Sequence, residues 1–180
     1  EETLQVLLDY HYPDREPNIN HEPEPDLDLA GLEHLDIDEV INLEAVKAAI
    51  KSFKPYKSPG MDGIYPALLQ QGLEFLAEYI LVIYKECLRT GKSPRRWLET
   101  KVSFIPKPGK QSYDEPGSIR PISLFSFLLK ALERIIFWHL NKTCLRNKLS
   151  RNIFAYREGI STEDALHNLT NKIEVALDNK

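Results

Sequence analysis

The amino-acid sequence predicts a helix-rich α+β fold, in which amphipathic helices pack around a small antiparallel sheet. Three observations support this prediction. Apolar residues recur at helical spacing over most of the chain after residue 42. Two short segments, residues 101–106 and 119–124, have strand composition, and turn residues lie between them. The 180 residues are 42% hydrophobic and 28% charged, which is typical of a globular domain.

The N-terminal part begins with a short predicted helix over residues 3–10, with Leu4, Leu7 and Leu8 on one side. Residues 12–36 are rich in proline, aspartate and glutamate. Proline breaks helices and like charges repel, so this stretch is expected to be extended and partly disordered. We therefore divide the chain into an acidic, proline-rich connector with a short helix (residues 1–40) and a folded domain (residues 41–180).

The first helices of the folded domain are marked by caps and by apolar stripes. Asn42 is the expected N-cap of a helix that carries Leu43, Val46, Ile50 and Phe53. A single long helix is predicted over residues 66–89, ended by Gly91 at its C′ position. The expected buried stripe of this helix consists of Leu69, Leu73, Leu76, Ile80, Ile83, Cys87 and Leu88.

Two more helices follow the predicted strands. The first covers residues 126–146, and the second begins at a capping box formed by Ser161 and Asp164. Isolated helices of this length are marginal in water, so all the apolar stripes are expected to face a common core. The stripe residues are Leu129, Leu132, Ile136 and Leu140 in the first, and Leu166, Leu169, Ile173 and Leu177 in the second.

Charge is distributed unevenly, although the whole chain has a net charge of only −4. Residues 1–50 hold 14 acidic and 2 basic residues, whereas residues 51–180 hold 13 acidic and 21 basic residues. The second part therefore has a net charge of +8, which favours a polyanionic partner such as nucleic acid. A solvated basic face without such a partner is the alternative that charge alone leaves open.

Several function classes find no support in the sequence. It has no glycine-rich phosphate loop, no nucleophile elbow and no zinc-ligand cluster, and the five histidines are scattered. No apolar run is long enough to span a bilayer, so no membrane partner is expected. Cys87 and Cys144 lie in apolar helical patterns and are predicted to be buried, reduced thiols, which indicates the cytoplasm and nucleus.

A basic, hairpin-like segment is the strongest candidate site that the residues alone provide. Lys101, Lys107, Lys110 and Arg120 flank a turn and two strands. Arginine offers a planar fork to phosphate oxygens and lysine a compact charge, so this segment could hold a polyphosphate. An exposed edge strand that is protected by lysines has the same pattern and is the structural alternative.

Five segments, in order along the chain, resemble the reverse transcriptases of non-LTR (LINE-type, jockey-like) retrotransposons. Residues 7–13 (LLDYHYP) also resemble a segment upstream of these polymerase motifs. Departures from the family pattern are Ile119 in place of tyrosine and Ala155 in place of glycine. The five segments are 58–64 (SPGMDGI), 90–97 (TGKSPRRW), 104–110 (FIPKPGK), 120–124 (RPISL, followed by Lys130 and Glu133) and 154–166 (FAYREGISTEDAL).

The resemblance implies that the chain is the N-terminal, fingers portion of such a polymerase, with the palm strands missing. It implies that Lys107 and Arg120 contact the triphosphate of the incoming deoxynucleotide. It also implies that two segments contact the RNA template. Their residues are Ser58, Pro59, Gly60, Asp62 and Gly63 in the first, and Arg157, Gly159, Ser161 and Thr162 in the second.

Polymerase chemistry requires two carboxylates that hold two Mg²⁺ ions, and the family supplies them from palm motifs that do not occur in this sequence. We therefore expect no catalytic and no metal-binding residue here, and we expect Mg²⁺ only in the parent polymerase. The expected partners are the RNA template, the primer DNA, deoxynucleoside triphosphates and the missing palm domain. On its own this fragment is expected to be inactive.

Three interpretations follow from the sequence. The first is a fragment of an RNA-directed DNA polymerase whose aspartate-bearing strand follows Lys180. The second is a decayed or repurposed RNA-binding fingers module without catalysis, which predicts salt-sensitive RNA binding. The third is a helical interaction domain without any role in nucleic-acid binding. The five ordered motifs favour the first.

Overall fold

In the computed structural model, the described residues are 2–13, 36–145, 150, 153–155, 157 and 159–178, without the side chains of residues 144 and 145. They confirm the predicted helix-rich α+β character, with one two-stranded antiparallel sheet in the described part. The chain divides into two compact units, Glu1–Trp138 and His139–Lys180. The predicted connector over residues 12–36 lies almost entirely outside the described residues, so its extended character stays a prediction.

The first unit begins with three helices, α1 (Glu2–His11), α2 (Ile37–Val40) and α3 (Leu43–Lys51). The predicted N-cap of α3 is confirmed, since the Asn42 side chain accepts a hydrogen bond of 2.9 Å from the Ala45 amide. The short helix α2, capped by Asp36, was not predicted. Of the three leucines that were placed on one side of α1, only Leu7 is buried.

The predicted long helix is two helices, α4 (Pro66–Gln71) and α5 (Leu73–Thr90), which meet at Gly72. Gly72 has φ −85° and ψ 3°, outside the helical range, so it separates the two helices. Gly91 ends α5 with φ 66°, as predicted.

The buried stripe of α5 was predicted wrongly in part. Leu76 and Ile83 are exposed, whereas Ala77 and Tyr84 are buried in their place. The helix carries apolar residues on almost every side, so its spacing did not determine which side faces the core.

The next elements are α6 (Arg95–Leu98), the strands β1 (Lys101–Pro106) and β2 (Ile119–Leu124), and α7 (Phe127–Leu140). Both strands begin and end as predicted, and Gly109 in the turn between them has φ 78°. The short helix α6 lies within and just after the segment 90–97, and it buries Trp97. A 3₁₀ turn, Pro116–Ser118, leads into β2.

The core of the first unit lies between α2, α3, α5 and α7. Tyr84 is at its centre, where the hydroxyl donates a hydrogen bond of 2.6 Å to the Leu128 carbonyl oxygen. Its ring meets the Trp97 ring edge-on, with the centroids 5.9 Å apart. Cys87 is a buried free thiol, as predicted, and burial raises its pKa. The remaining buried residues of this cluster include Ile41, Val46, Ala49, Ile50, Leu69, Leu73, Ala77, Ile80, Phe127, Leu129, Ala131, Leu132 and Ile135.

The second unit contains a π-helical turn, Asn141–Leu145, and the helix α8 (Thr162–Asp178). The predicted capping box is confirmed, because the Asp164 carboxylate accepts hydrogen bonds from the Ser161 amide (2.7 Å) and hydroxyl (2.8 Å). These two hydrogen bonds lower the pKa of Asp164. The apolar stripe of α8 does not face a core in the described structure, contrary to our prediction. Its exposed residues are Leu166, Leu169, Ile173, Val175 and Leu177.

Candidate nucleotide and nucleic-acid site

The two residues predicted to bind the triphosphate lie on the same hairpin, in cross-strand pairs that are two residues apart along the strands. Arg120 pairs with Ile105 in the antiparallel ladder. The Lys107 amide donates a hydrogen bond of 2.9 Å to the Ser118 carbonyl oxygen, which extends the pairing by one residue beyond Pro106. Lys107 is therefore the diagonal neighbour of Arg120, a position for which Cα atoms are about 7 to 8 Å apart.

Lys107 is fixed by the connection between the strands. Its ammonium group donates a hydrogen bond of 2.8 Å to the Gly117 carbonyl oxygen. The Tyr113 hydroxyl donates one of 3.0 Å to the carbonyl oxygen of Lys107 itself. An ammonium group has three donors, so two remain for an external acceptor such as a phosphate oxygen.

Arg120 differs from Lys107, since its side chain is exposed. Among the residues that the structure describes, it has no hydrogen-bond or ion-pair partner. Its planar fork of donors is therefore available to an anion. Lys101 and Lys110 are also exposed, and they lie near the two ends of β1.

Helix α1 packs against the connection between the two strands of this hairpin, a contact that was not predicted from the sequence. The His11 imidazole is 3.2 Å from the Pro116 carbonyl oxygen, and its ring lies 5.9 Å from the Phe104 ring. A Cβ atom at Gly117 would come within 3.1 Å of the Tyr10 hydroxyl. Helix α1, which belongs to the predicted connector, therefore packs on the hairpin.

The loop of residues 58–64 lies against the junction between β2 and α7. Gly60 is buried there, and a Cβ atom on it would come within 2.7 Å of the backbone of Phe125 and Ser126. Gly63 has φ 69°, a conformation that favours glycine. Only glycine fits the loop at the first of these positions without moving the neighbouring backbone.

Asp62 shapes the same loop from within. One carboxylate oxygen accepts a hydrogen bond of 3.1 Å from the Ile64 amide. The other oxygen is buried, and no hydrogen-bond donor reaches it within the described part of the chain. Lys130 is close enough that Glu133 and Asp62 both favour its charged form, but burial is the larger effect and lowers its pKa.

The other four predicted template-contacting residues belong to the second unit. Arg157 donates hydrogen bonds to the carbonyl oxygens of Ser150 (3.4 Å) and Ile153 (3.3 Å), which ties these two residues to it. Gly159 has φ 74°, and Ser161 and Thr162 are exposed at the start of α8. This segment is thus a turn followed by an exposed helix N-terminus.

The structure groups the predicted residues into three places. Lys107 and Arg120 share the hairpin, residues 58–63 form a loop in the same unit, and the described residues 157 and 159–162 belong to the second unit. Within the described ranges, no three acidic, histidine or cysteine side chains are grouped so that they could hold a metal ion. Nor is any helix in those ranges long and apolar enough to cross a membrane.

Comparison with known proteins identifies relatives of this chain. No protein-family model matches it. It is 38% identical over 141 residues to the probable RNA-directed DNA polymerase from transposon BS of Drosophila melanogaster, a match that covers 78% of this chain and 16% of that protein. It is 33% identical over 144 residues to the RNA-directed DNA polymerase from mobile element jockey of Drosophila funebris, with coverage of 78% and 15%.

A third relative is the retrovirus-related Pol polyprotein from the type-1 retrotransposable element R1 of Bradysia coprophila, with 32% identity over 125 residues. That match covers 69% of this chain and 12% of the polyprotein. The chain thus spans about one sixth or less of the length of these relatives. As one segment, it is homologous to the RNA-directed DNA polymerases of jockey-like non-LTR retrotransposons.

Proposed function

We propose that the chain is the fingers portion of an RNA-directed DNA polymerase, and that its hairpin holds the triphosphate of the incoming deoxynucleotide. The observation that carries this proposal is the diagonal pairing of Lys107 and Arg120 on one hairpin, in a chain homologous to such polymerases. One cation is fixed by the strand connection and the other is exposed and unpaired in the described structure. Together they can neutralise charge on the phosphates and on the leaving pyrophosphate.

The template strand is proposed to contact the loop of residues 58–63 and, in the second unit, Arg157, Gly159, Ser161 and Thr162. Ser58 is exposed and can donate to a backbone phosphate, while Gly60 sets how closely the loop approaches its neighbours. In this proposal Asp62 contributes by holding the loop in shape through its bond to Ile64. Arg157 would do the same for the second segment.

No catalytic step is assigned to a residue of this chain. Polymerases of this kind use divalent metal ions, which neutralise charge and activate the attacking hydroxyl. The described residues do not form a carboxylate cluster that could hold such ions. The proposed partners are therefore a palm domain that supplies the metal ligands, the RNA template, the primer and the deoxynucleotide, in the cytoplasm and nucleus.

Replacement of both hairpin cations is expected to weaken triphosphate binding at least about tenfold, because charge-assisted hydrogen bonds contribute roughly 1.5 to 3 kcal/mol each. The measurement is calorimetric titration of the chain with deoxythymidine triphosphate, comparing wild type with the Lys107→Met, Arg120→Gln double variant. Both substitutions keep much of the side-chain length, so packing along the stems is retained.

The matched control is the Lys51→Met, Arg96→Gln double variant, which removes two exposed cations from other elements of the same unit. It should bind the triphosphate as wild type does. Equal loss in both double variants would mean that net charge, rather than the hairpin, governs binding. No loss in the hairpin variant would overturn the proposal.

A further inference from the structure

An open cleft on the outer side of α7 has no role in the proposed function. It has a volume of about 390 Å³ and is lined by aromatic and charged side chains. This volume lies within the range of roughly 300 to 1,000 Å³ that is usual for small-molecule sites. We call it the α7 cleft. Its lining residues are Phe53, which lies just after α3, and Lys130, Glu133, Arg134, Phe137 and Trp138 from α7.

Arg134 is held in a fixed orientation at the base of the cleft. Its guanidinium group stacks on the Phe53 ring, 4.3 Å from the centroid, and it donates a hydrogen bond to the Ser52 hydroxyl. Phe53 is in turn fixed by an edge-on contact with Phe127, at 5.1 Å between centroids. A guanidinium group has five N–H donors, and one of them is used in the described structure.

The rim of the cleft exposes two rings to water. Phe137 is 50% exposed and Trp138 is 40% exposed, whereas the other tryptophan, Trp97, is 8% exposed in the core. Exposed aromatic rings next to cations provide both surfaces that a nucleotide needs, a ring to stack on and a charge for its phosphate.

The cations of the cleft have no direct ion-pair partner in the part of the chain that the structure describes. Lys130 lies over the Phe127 ring, 4.7 Å from its centroid, and no carboxylate of a described residue lies within 4.0 Å of its ammonium group or of the Arg134 guanidinium. Among the described lining residues, Glu133 is the one acidic side chain, and it stands against two cations. The described lining therefore has a small excess of positive charge, which complements a phosphate, while Asp62 of the 58–64 loop lies near Lys130 but outside the lining.

We propose that the α7 cleft binds an unpaired nucleotide of single-stranded RNA, with the base stacked on Trp138 and the phosphate held by Arg134 and Lys130. This inference rests on the proposed function as far as nucleic acid is concerned, but it uses different residues. An apolar protein partner fits less well, because it would bury both cations without satisfying them, which is costly.

Trp138→Ala is expected to weaken binding of an oligouridine about 15 nucleotides long by about tenfold, since stacking of a base on an aromatic ring has that effect. Binding is measured by fluorescence anisotropy of the labelled RNA at several salt concentrations. Trp138→Phe keeps a ring and should recover most of the affinity. The matched control is Phe75→Ala, which removes an 82% exposed ring from α5, outside the cleft.

The salt dependence separates stacking from phosphate contact. Trp138→Ala should leave the slope of log affinity against log salt unchanged, whereas Arg134→Gln should reduce it by roughly 0.7 to 1. Unchanged affinity in Trp138→Ala, or an equal loss in Phe75→Ala, overturns the α7 cleft as an RNA site. So does an absence of RNA binding by the wild-type chain.

Failure here is distinguishable from failure of the proposed hairpin site. The hairpin variant is tested with a free triphosphate, and the cleft variants are tested with RNA. Loss of RNA affinity in Trp138→Ala together with unaltered triphosphate binding in the hairpin variant would support the cleft and reject the hairpin. Unchanged RNA affinity in Trp138→Ala, together with weaker triphosphate binding in the hairpin variant, would reject the cleft and support the hairpin.

Discussion

Replacement of Tyr84 by alanine is expected to lower the free energy of unfolding by about 3 to 5 kcal/mol, the usual effect of removing a large buried aromatic side chain. Tyr84 is fully buried between α5, α6 and α7. The substitution leaves a cavity beside Trp97 and removes a hydrogen bond to Leu128. Domains of this size are stable by roughly 5 to 15 kcal/mol, so much of the stability would be lost.

Urea denaturation followed by circular dichroism measures this change. Tyr84→Phe is the matched control, since it keeps the ring and removes only the hydroxyl, and it should cost about 1 kcal/mol. Burial raises the pKa of Tyr84, so the hydroxyl stays protonated and remains a hydrogen-bond donor. A loss below about 1 kcal/mol in Tyr84→Ala would contradict the packing described for the core.

Gly60→Ala is expected to lower the free energy of unfolding by about 2 to 3 kcal/mol, because overpacking against backbone forces a local shift. The added Cβ atom would lie 2.7 Å from backbone atoms of Phe125 and Ser126, which cannot move as a flexible side chain can. The shift would also displace the loop that is proposed to contact the template. The same denaturation experiment measures the effect.

Met61→Ala is the neighbouring control, since the Met61 side chain is 54% exposed and its removal should change stability by less than about 0.5 kcal/mol. Gly63→Ala offers a second comparison. It has no atom within 4 Å of the added Cβ, so only its positive φ opposes alanine. If Gly60→Ala were as stable as wild type, the close approach of the loop to the β2–α7 junction would be wrong.

Local signals allowed several elements to be predicted from the sequence alone. Both strands begin and end where strand composition and turn residues indicated, and Asn42 and Gly91 cap α3 and α5 as expected. The capping box of α8 is also confirmed. In each case the decisive interaction lies within a few residues, so a single sequence contains the information.

Features that depend on distant contacts were missed or predicted wrongly. Apolar residues lie on almost every side of α5, so the helices that pack against it determine which side is buried. They bury the side with Tyr84 and leave the side with Ile83 exposed. The support of the hairpin by α1 joins residues 105 positions apart. The break at Gly72 was missed because the apolar period continues through it.

The candidate sites show the same division. The strand and turn pattern predicted that Lys107 and Arg120 lie on one hairpin, and the strand pairing confirms this placement. Their role in nucleotide binding stays a prediction from the family resemblance. The α7 cleft was not found, because its base is assembled from α3 and α7, with the hydrogen-bonded Ser52 and Arg134 lying 82 positions apart. The spacing of Arg134 and Trp138 on α7 was a possible signal, although its apolar neighbours made the segment resemble an ordinary core helix.

The most direct test of the central claim is residue-by-residue mapping of triphosphate binding by nuclear magnetic resonance. Isotopically labelled chain is titrated with deoxythymidine triphosphate, and the amide shifts are followed. We expect the largest shifts at Lys107, at Arg120 and in the Pro116–Ser118 turn between them, and we expect these shifts to vanish in the Lys107→Met, Arg120→Gln variant. Shifts that centre on other elements, or shifts that persist in this variant, would contradict the assignment of the hairpin to the incoming nucleotide.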